Sequence, residues 1–225
     1  MNPVLEALQR LDTCTVANAI ETFQTRLLNE GFCDASIRCL FPNLPPMVGR
    51  AVTAKFRCST PPPDERRQYA DRTDWWNFIQ TVPAPRVVVI EDVDPRPGFG
   101  STEGEVHAAI LQALGCVGVV TNGAVRDLPS VEALGFHFFA NSVAVSHAYS
   151  HIVSIGGEVT IGGLKIKPGD LLHGDRHGVL AVPIEIAADI PQAAAQIADQ
   201  ERRLLALCRA PDFSVAKLRA ALKEL

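Results

Sequence analysis

Apolar positions recur along the chain with two different periods, and these divide it into elements. Val4, Leu5, Leu8 and Leu11, then Val16, Ala19, Ile20 and Phe23, fall three or four apart, the spacing of one helical face. Asp12-Thr13 interrupts the series, which predicts two helices, with Thr13 or Thr15 capping a second one that runs to about Phe23. Pro42, Asn43, Pro45 and Pro46 keep the next stretch irregular. In MVGRAVTAKFRC (47–58) the period drops to that of a strand. RVVVIEDVD (86–94) and CVGVVTNG (116–123) are β-branched and almost wholly apolar, as strands covered on both faces are. Helices are predicted over 75–82, 105–114 and 128–134, with Gly115 and Gly135 ending the last two. HFFANSVAV (137–145) reads as strand, and 158–183 alternates short strands with glycine turns. Helical periodicity returns over 185–207, and 212–225 forms a further short helix.

A strand–helix–strand segment followed by an antiparallel glycine-rich run predicts a layered α/β domain with a mixed sheet. The length of 225 residues fits one domain, 1–225, with the helices of 185–225 packing on it or on a neighbouring subunit. GFGSTEG (98–104) has the wrong glycine spacing for a dinucleotide fingerprint and follows a strand ending in acids. Net charge is −4, and Arg66-Arg67 and Arg202-Arg203 are isolated pairs, so a nucleic-acid partner is not expected. Pro61 to Asp74 is a polar excursion. No apolar run reaches 18 residues and no signal peptide is read. The six cysteines form no C-x-x-C pair and read as reduced, mostly core thiols, so the expected location is cytoplasmic.

The chemistry concentrates in Gly104 to Asp127. A glycine-containing loop leads into a helix, so the free N–H groups of Gly104, Glu105, Val106 and His107 favour an anion. Arg126 follows a buried strand, where its guanidinium can grip a carboxylate or an enolate. Asp127 and Glu105 are hard oxygen donors suited to Mg²⁺ or Mn²⁺. Together they describe a pocket for a small oxo-acid on a divalent metal. The same residues also admit a plainer reading. Arg126-Asp127 forms a surface ion pair in that reading, Asp127 caps the helix 128–134, and Glu105 complements a helix dipole.

Gly104-Glu105, twenty intervening residues and Arg126-Asp127 resemble the signature of the 4-hydroxy-4-methyl-2-oxoglutarate aldolase family, which includes the regulator of ribonuclease activity A (RraA-like) proteins. LDTCTVANAIE (11–21) is similar to the family's N-terminal helix, with Asn18 where an aspartate is usual, and MVGRAVTAKF and KPGDLLHGDRHGVLAVP fall where family blocks are expected. The resemblance spans about residues 5–207, with 61–74 least matched. It implies a swivelling β/β/α fold with N- and C-terminal helices, a homotrimer or homohexamer, and a site at a subunit interface. It implies that the amides of Gly104 to His107 bind the substrate carboxylate and that Arg126 binds the pyruvyl oxygen. It further implies that Asp127 anchors the metal, that Glu105 holds a metal-bound water, and that Glu201 is donated by a neighbouring subunit. His107 stands where an apolar residue is common.

The expected activity is that of a metal-dependent (class II) pyruvate aldolase, a carbon–carbon lyase acting on a 4-hydroxy-2-oxo acid through an enolate and also decarboxylating oxaloacetate. The alternative is a regulator that binds a ribonuclease or RNA helicase without using the site, and a third reading is an enzyme on another hydroxy acid. A Schiff-base mechanism would need Lys55, whose place in an apolar strand fits an ion pair or a snorkelling amine instead. His147 and His151 are a weak candidate metal pair. His173, Asp175 and His177 read as turn chemistry that could also face a cleft. Trp75-Trp76 reads as core or interface.

Overall fold

The structure, a computed structural model, describes residues 2–62 and 72–223. The polar stretch at 63–71, with Arg66-Arg67, lies outside the described residues. Two short helices open the chain, α1 (Pro3–Gln9) and α2 (Thr13–Glu21). The cap of α2 is Asp12 rather than a threonine: its Oδ1 accepts the N–H of Thr15 at 2.9 Å and its Oδ2 the Thr15 hydroxyl at 2.7 Å. A carboxylate also complements the helix N-terminus, an advantage a hydroxyl lacks.

The strands follow as β1 (Arg38–Cys39), β2 (Met47–Arg57), β3 (Arg86–Asp92), β4 (Ser101–Glu103), β5 (Cys116–Val125), β6 (His137–Val143), β7 (His151–Ile155), β8 (Val159–Ile161), β9 (Leu164–Ile166), β10 (Leu171–Asp175) and β11 (Gly178–Val182). Between them lie α3 (Arg72–Thr81), α4 (Glu105–Ala113) and α5 (Leu128–Ala133), and after them α6 (Ile190–Cys208) and α7 (Val215–Ala221). Among the described residues one mixed sheet runs β1-β6-β5-β3-β2-β10-β11, with β4 added on β5 and β7 on β2, and β8-β9 pair separately. The parallel centre, β2-β3-β5-β6, comes from the chain's β-branched runs.

Alternation within one run sorts its side chains into two cores. Val88 and Ile90 of β3 face the layer that carries Ile79, Leu111 and Val131 of α3, α4 and α5. Val87 and Val89 face the β8-β9 hairpin through Val159, Ile161 and Ile166. A third cluster packs α1, α2 and the start of α6 around Val48, Leu171 and Leu180. No helix among the described residues is long and apolar enough to cross a membrane.

One feature of the sheet escapes the sequence pattern. Ser101 to Glu103, read from sequence as loop, pairs parallel to the far end of β5, with Ser101 opposite Ala124 and Glu103 opposite Val125. Both strands therefore end side by side, and α4 and α5 start there.

Candidate active site

This shared strand end brings Gly104 and Arg126-Asp127 together across twenty-odd residues of chain. The backbone N–H of Arg126 donates to the carbonyl of Glu103 at 3.0 Å, which locks the two strand ends. Asp127 takes the left-handed conformation, with φ 58° and ψ 36°, unusual for a residue with a side chain. Its side chain does not cap α5. It turns to the other strand end, where Oδ2 accepts the N–H of Glu105 at 3.1 Å and lies 3.4 Å from Arg126 Nε. Gly104 is extended and is needed for room: a Cβ there would sit 2.4 Å from Asp127 Oδ2 and 3.1 Å from Arg126 Cγ.

Asp127 and Arg126 line a cavity of about 410 Å³ together with Gly104, Val106, His107, Arg72 and residues 147–150. Gly104, Val106, His107, Arg126 and Asp127, grouped on the sequence, are brought together in the fold, and all five line the cavity. Glu105 contributes its backbone N–H to Asp127, while its side chain is exposed. Glu201 is exposed on α6 and does not line the cavity of its own chain. Arg72, Glu103 and Tyr149 carry no signal in the sequence pattern, and His147 stands out there only as half of a weak metal pair. Glu103 adjoins Gly104 but lies on the short strand β4, while Arg72 opens α3 and His147 and Tyr149 follow β6, segments distant in sequence.

Glu103 borders a smaller cavity that shares Arg72 and His107 with this one; it is 3% exposed, and its Oε2 has no hydrogen-bond partner among the described residues. Burial pushes its carboxyl up to about 8, against a smaller opposing pull from Arg72. His107 Nδ1 is 3.7 Å away, but burial, with Arg72, His147 and Arg126 nearby, pushes that imidazole down to about 4. Both are therefore neutral at pH 7, and the contact is not an ion pair. Arg72 presses on His107 Nε2 from the other side.

A divalent cation fits Asp127. The two contacts described for its carboxylate both fall on Oδ2, the residue lines the cavity, and Mg²⁺ binds with one or two carboxylates while keeping its waters. Two other donor groups occur among the described residues, Asp12–Cys14–His177 and Cys58–Asp92–Asp94. In the second, both aspartates are engaged by backbone N–H groups: Asp94 Oδ2 accepts from Cys58 and Ser59 and Asp92 Oδ2 from Gly98.

The remaining candidates have structural partners. Lys55 pairs with Glu91 at 3.2 Å and is not among the cavity residues. His147 and His151 do not share a helical face: His147 lies in a turn and His151 opens β7, its Nδ1 on the Tyr149 carbonyl at 2.7 Å. His173 is fully buried and ties β10 to α1 and α2, and His177 bonds Asp175. Trp75 is core.

Comparison with known proteins agrees with this architecture. The RraA-like family model, Aldolase/RraA, matches residues 13–181. A protein of Halalkalibacterium halodurans, provisionally named a 4-hydroxy-4-methyl-2-oxoglutarate aldolase, is 32% identical over 124 residues, 54% of this chain and 57% of that one. The chain thus spans a little over half the length of that relative. An uncharacterised protein from Pseudomonas syringae pv. tomato superposes over 100% of this chain and 95% of its own, with a TM-score of 0.74 at 23% identity. Streptomyces coelicolor RraAS2, an unusual member of the RNase ES inhibitor RraA protein family, does so over 90% and 95%, with a TM-score of 0.70 at 20% identity. With a family model that covers most of its length and a mixed sheet ending in a shared Gly104 and Arg126-Asp127 locus, the chain belongs to the RraA-like family.

Proposed function

We propose that the protein is a divalent-metal-dependent lyase that cleaves a 4-hydroxy-2-oxo acid, such as 4-hydroxy-4-methyl-2-oxoglutarate, to pyruvate, and that the same site decarboxylates oxaloacetate. The observation that carries this reading is Asp127. It occupies a costly left-handed conformation, leaves its own helix uncapped and sets its carboxylate beside Arg126 in the lining of a cavity. A surface ion pair has no need of that strain.

In this reading Asp127 holds the cation, Mg²⁺ by preference and Mn²⁺ as a substitute, and the amides of Val106 and His107 at the start of α4 receive the substrate carboxylate. The bound cation supplies Lewis-acid polarisation of the 2-oxo group. Arg126 lies beside the developing enolate oxygen and stabilises its charge as the C3–C4 bond breaks. Neutral Glu103 and His107 behind the cavity keep the wall free of carboxylate charge that would oppose an anionic substrate. The exposed Leu205, Phe213, Val215 and Leu222 of the α6–α7 region support assembly into a homotrimer or homohexamer, in which Glu201 reaches a neighbouring subunit's site.

The test is pyruvate release from 4-hydroxy-4-methyl-2-oxoglutarate and from oxaloacetate, with Mg²⁺ and with EDTA. Turnover that EDTA abolishes is expected. Turnover indifferent to EDTA, or none with either acid, overturns the proposal.

A further inference from the structure

We infer that His147 is the base of this site, removing the C4 hydroxyl proton of the hydroxy-oxo acid and returning it to C3 of the enolate; the inference rests on the lyase reading above. His147 lines the same cavity as Arg126 and Asp127. Its Nδ1 lies 3.1 Å from the carbonyl oxygen of Ser101. A carbonyl can only accept, so Nδ1 carries the hydrogen, and in the neutral ring Nε2, on the opposite edge, holds the lone pair.

The turn that carries it is held on every side. Ser101 N–H donates to the carbonyl of Ser146 at 2.8 Å, Tyr149 N–H to that of Cys58 at 3.0 Å, and Ser150 N–H to that of His147 at 3.0 Å. The Ser146 hydroxyl accepts the N–H of Ala148 at 3.0 Å, and Ala148 is left-handed with φ 49°. Gly100 admits this turn: a Cβ there would come within 2.5 Å of the His147 carbonyl oxygen. The strained backbone is that of Ala148, next to His147 in the cavity lining, and strain of this kind gathers at functional sites.

The other basic candidates at the cavity are engaged or neutralised. His107, whose ring centre is 6.4 Å from that of His147, has Arg72 against Nε2 and Glu103 beside Nδ1. Asp127 is bonded to Glu105 and paired with Arg126, and Glu103 is protonated at pH 7.

The step balances without an outside reagent. The C4 O–H bond breaks and its proton passes to Nε2. The C4 carbonyl forms as the C3–C4 bond breaks, and that bond pair becomes the C2–C3 enolate stabilised by Arg126. The imidazolium then returns its proton to C3, giving the methyl group of pyruvate. Oxaloacetate has no C4 hydroxyl: its C3–C4 bond breaks to release carbon dioxide with no proton to remove. A base at His147 therefore matters for one substrate and much less for the other.

The test is His147→Asn, whose amide can keep the bond to the Ser101 carbonyl while Nε2 is lost, assayed beside His151→Asn, a nearby histidine outside the cavity lining. Expected for His147→Asn is a fall in kcat of about 10²-fold or more on 4-hydroxy-4-methyl-2-oxoglutarate, less than about 10-fold on oxaloacetate, and unchanged calorimetric binding of oxalate, an enolate mimic. His151→Asn is expected to stay within a few-fold of wild type on both. Equal losses on the two acids, no loss on the hydroxy acid, weakened oxalate binding, or a larger loss in His151→Asn each overturn the role of His147. A wild type inactive on both acids refutes the lyase reading itself, which separates the two failures.

Discussion

Two clusters of histidine and acid occupy different regions of this fold, and they contrast in what their polar atoms do. Around β10, His173 accepts from the Thr13 hydroxyl at Nδ1, 3.0 Å away, and donates from Nε2 to the carbonyls of Leu8 and Leu11. Asp175 accepts the N–H groups of Thr13 and His177. Burial holds the His173 imidazole neutral by pushing its pKa down. At the β4–β5 strand end, Arg126 Nε and Glu103 Oε2 are buried without hydrogen-bond partners, and Asp127 and Ala148 sit in left-handed backbone. A cluster whose hydrogen bonds are complete holds elements together. One whose polar groups are incomplete and whose backbone is strained is reserved for something that arrives.

Crossed substitutions test the contrast most strongly. Arg126→Ala should lower kcat/KM for pyruvate release by at least about 10²-fold, the cost of one charge-stabilising donor, with little change in melting temperature. His173→Ala should do the reverse. Losing a fully buried ring and its bonds should cost about 2–3 kcal/mol in denaturant unfolding while the folded protein keeps the kcat of the proposed reaction. If Arg126→Ala unfolds the protein, or His173→Ala abolishes kcat in folded protein, the distinction fails.

Gly104→Ala is a finer probe, because extended backbone accepts alanine and only the space between strand ends is lost. A Cβ against Asp127 Oδ2 must move that carboxylate, and activity should fall about 10-fold or more with stability nearly intact, since small misplacements in a site are costly. Retained activity would mean that the carboxylate position is unimportant.

A pH dependence probes the same strand end without touching Arg126 or Asp127. Glu103 has a folded pKa of about 8 against 4.5 for the free side chain, so the folded state binds more protons across that window. Its contribution to stability is fully present below about 4.5 and is lost as pH rises through 8. Glu103→Gln cannot ionise, so its melting temperature relative to wild type should climb between pH 5 and pH 8. A difference independent of pH would show that Glu103 is already ionised in the folded protein.

Much of the fold was legible because its core strands are uniform. The β-branched runs that became β3 and β5, and the glycines ending α4 and α5, carry their signals locally. Gly104, Glu105, Arg126 and Asp127 were legible for the same reason, each sitting just past an apolar strand or at a helix start. Three residues of β4 are too few to show a period, so its pairing with β5 was hidden, and Glu103 with it. His147 looked like half of a metal pair because spacing in sequence does not reveal that Ser101, far upstream, holds its ring. The threonine caps gave way to Asp12, one residue before the predicted start, whose carboxylate takes both the N–H and the hydroxyl of Thr15.

The bond between Arg126 N–H and the Glu103 carbonyl also gives the signature spacing a meaning. The chain leaves the end of β4, runs through α4, returns along β5 and arrives beside its own point of departure. The number of residues between Gly104 and Arg126 is therefore the circumference of a closed circuit. Adding or removing one residue within β5 would turn Arg126 to the opposite face of the sheet, because side chains alternate at every step. Such a protein would keep every residue of the motif and lose the pocket, so for this fold the count between the residues is as much a part of the site as the residues themselves.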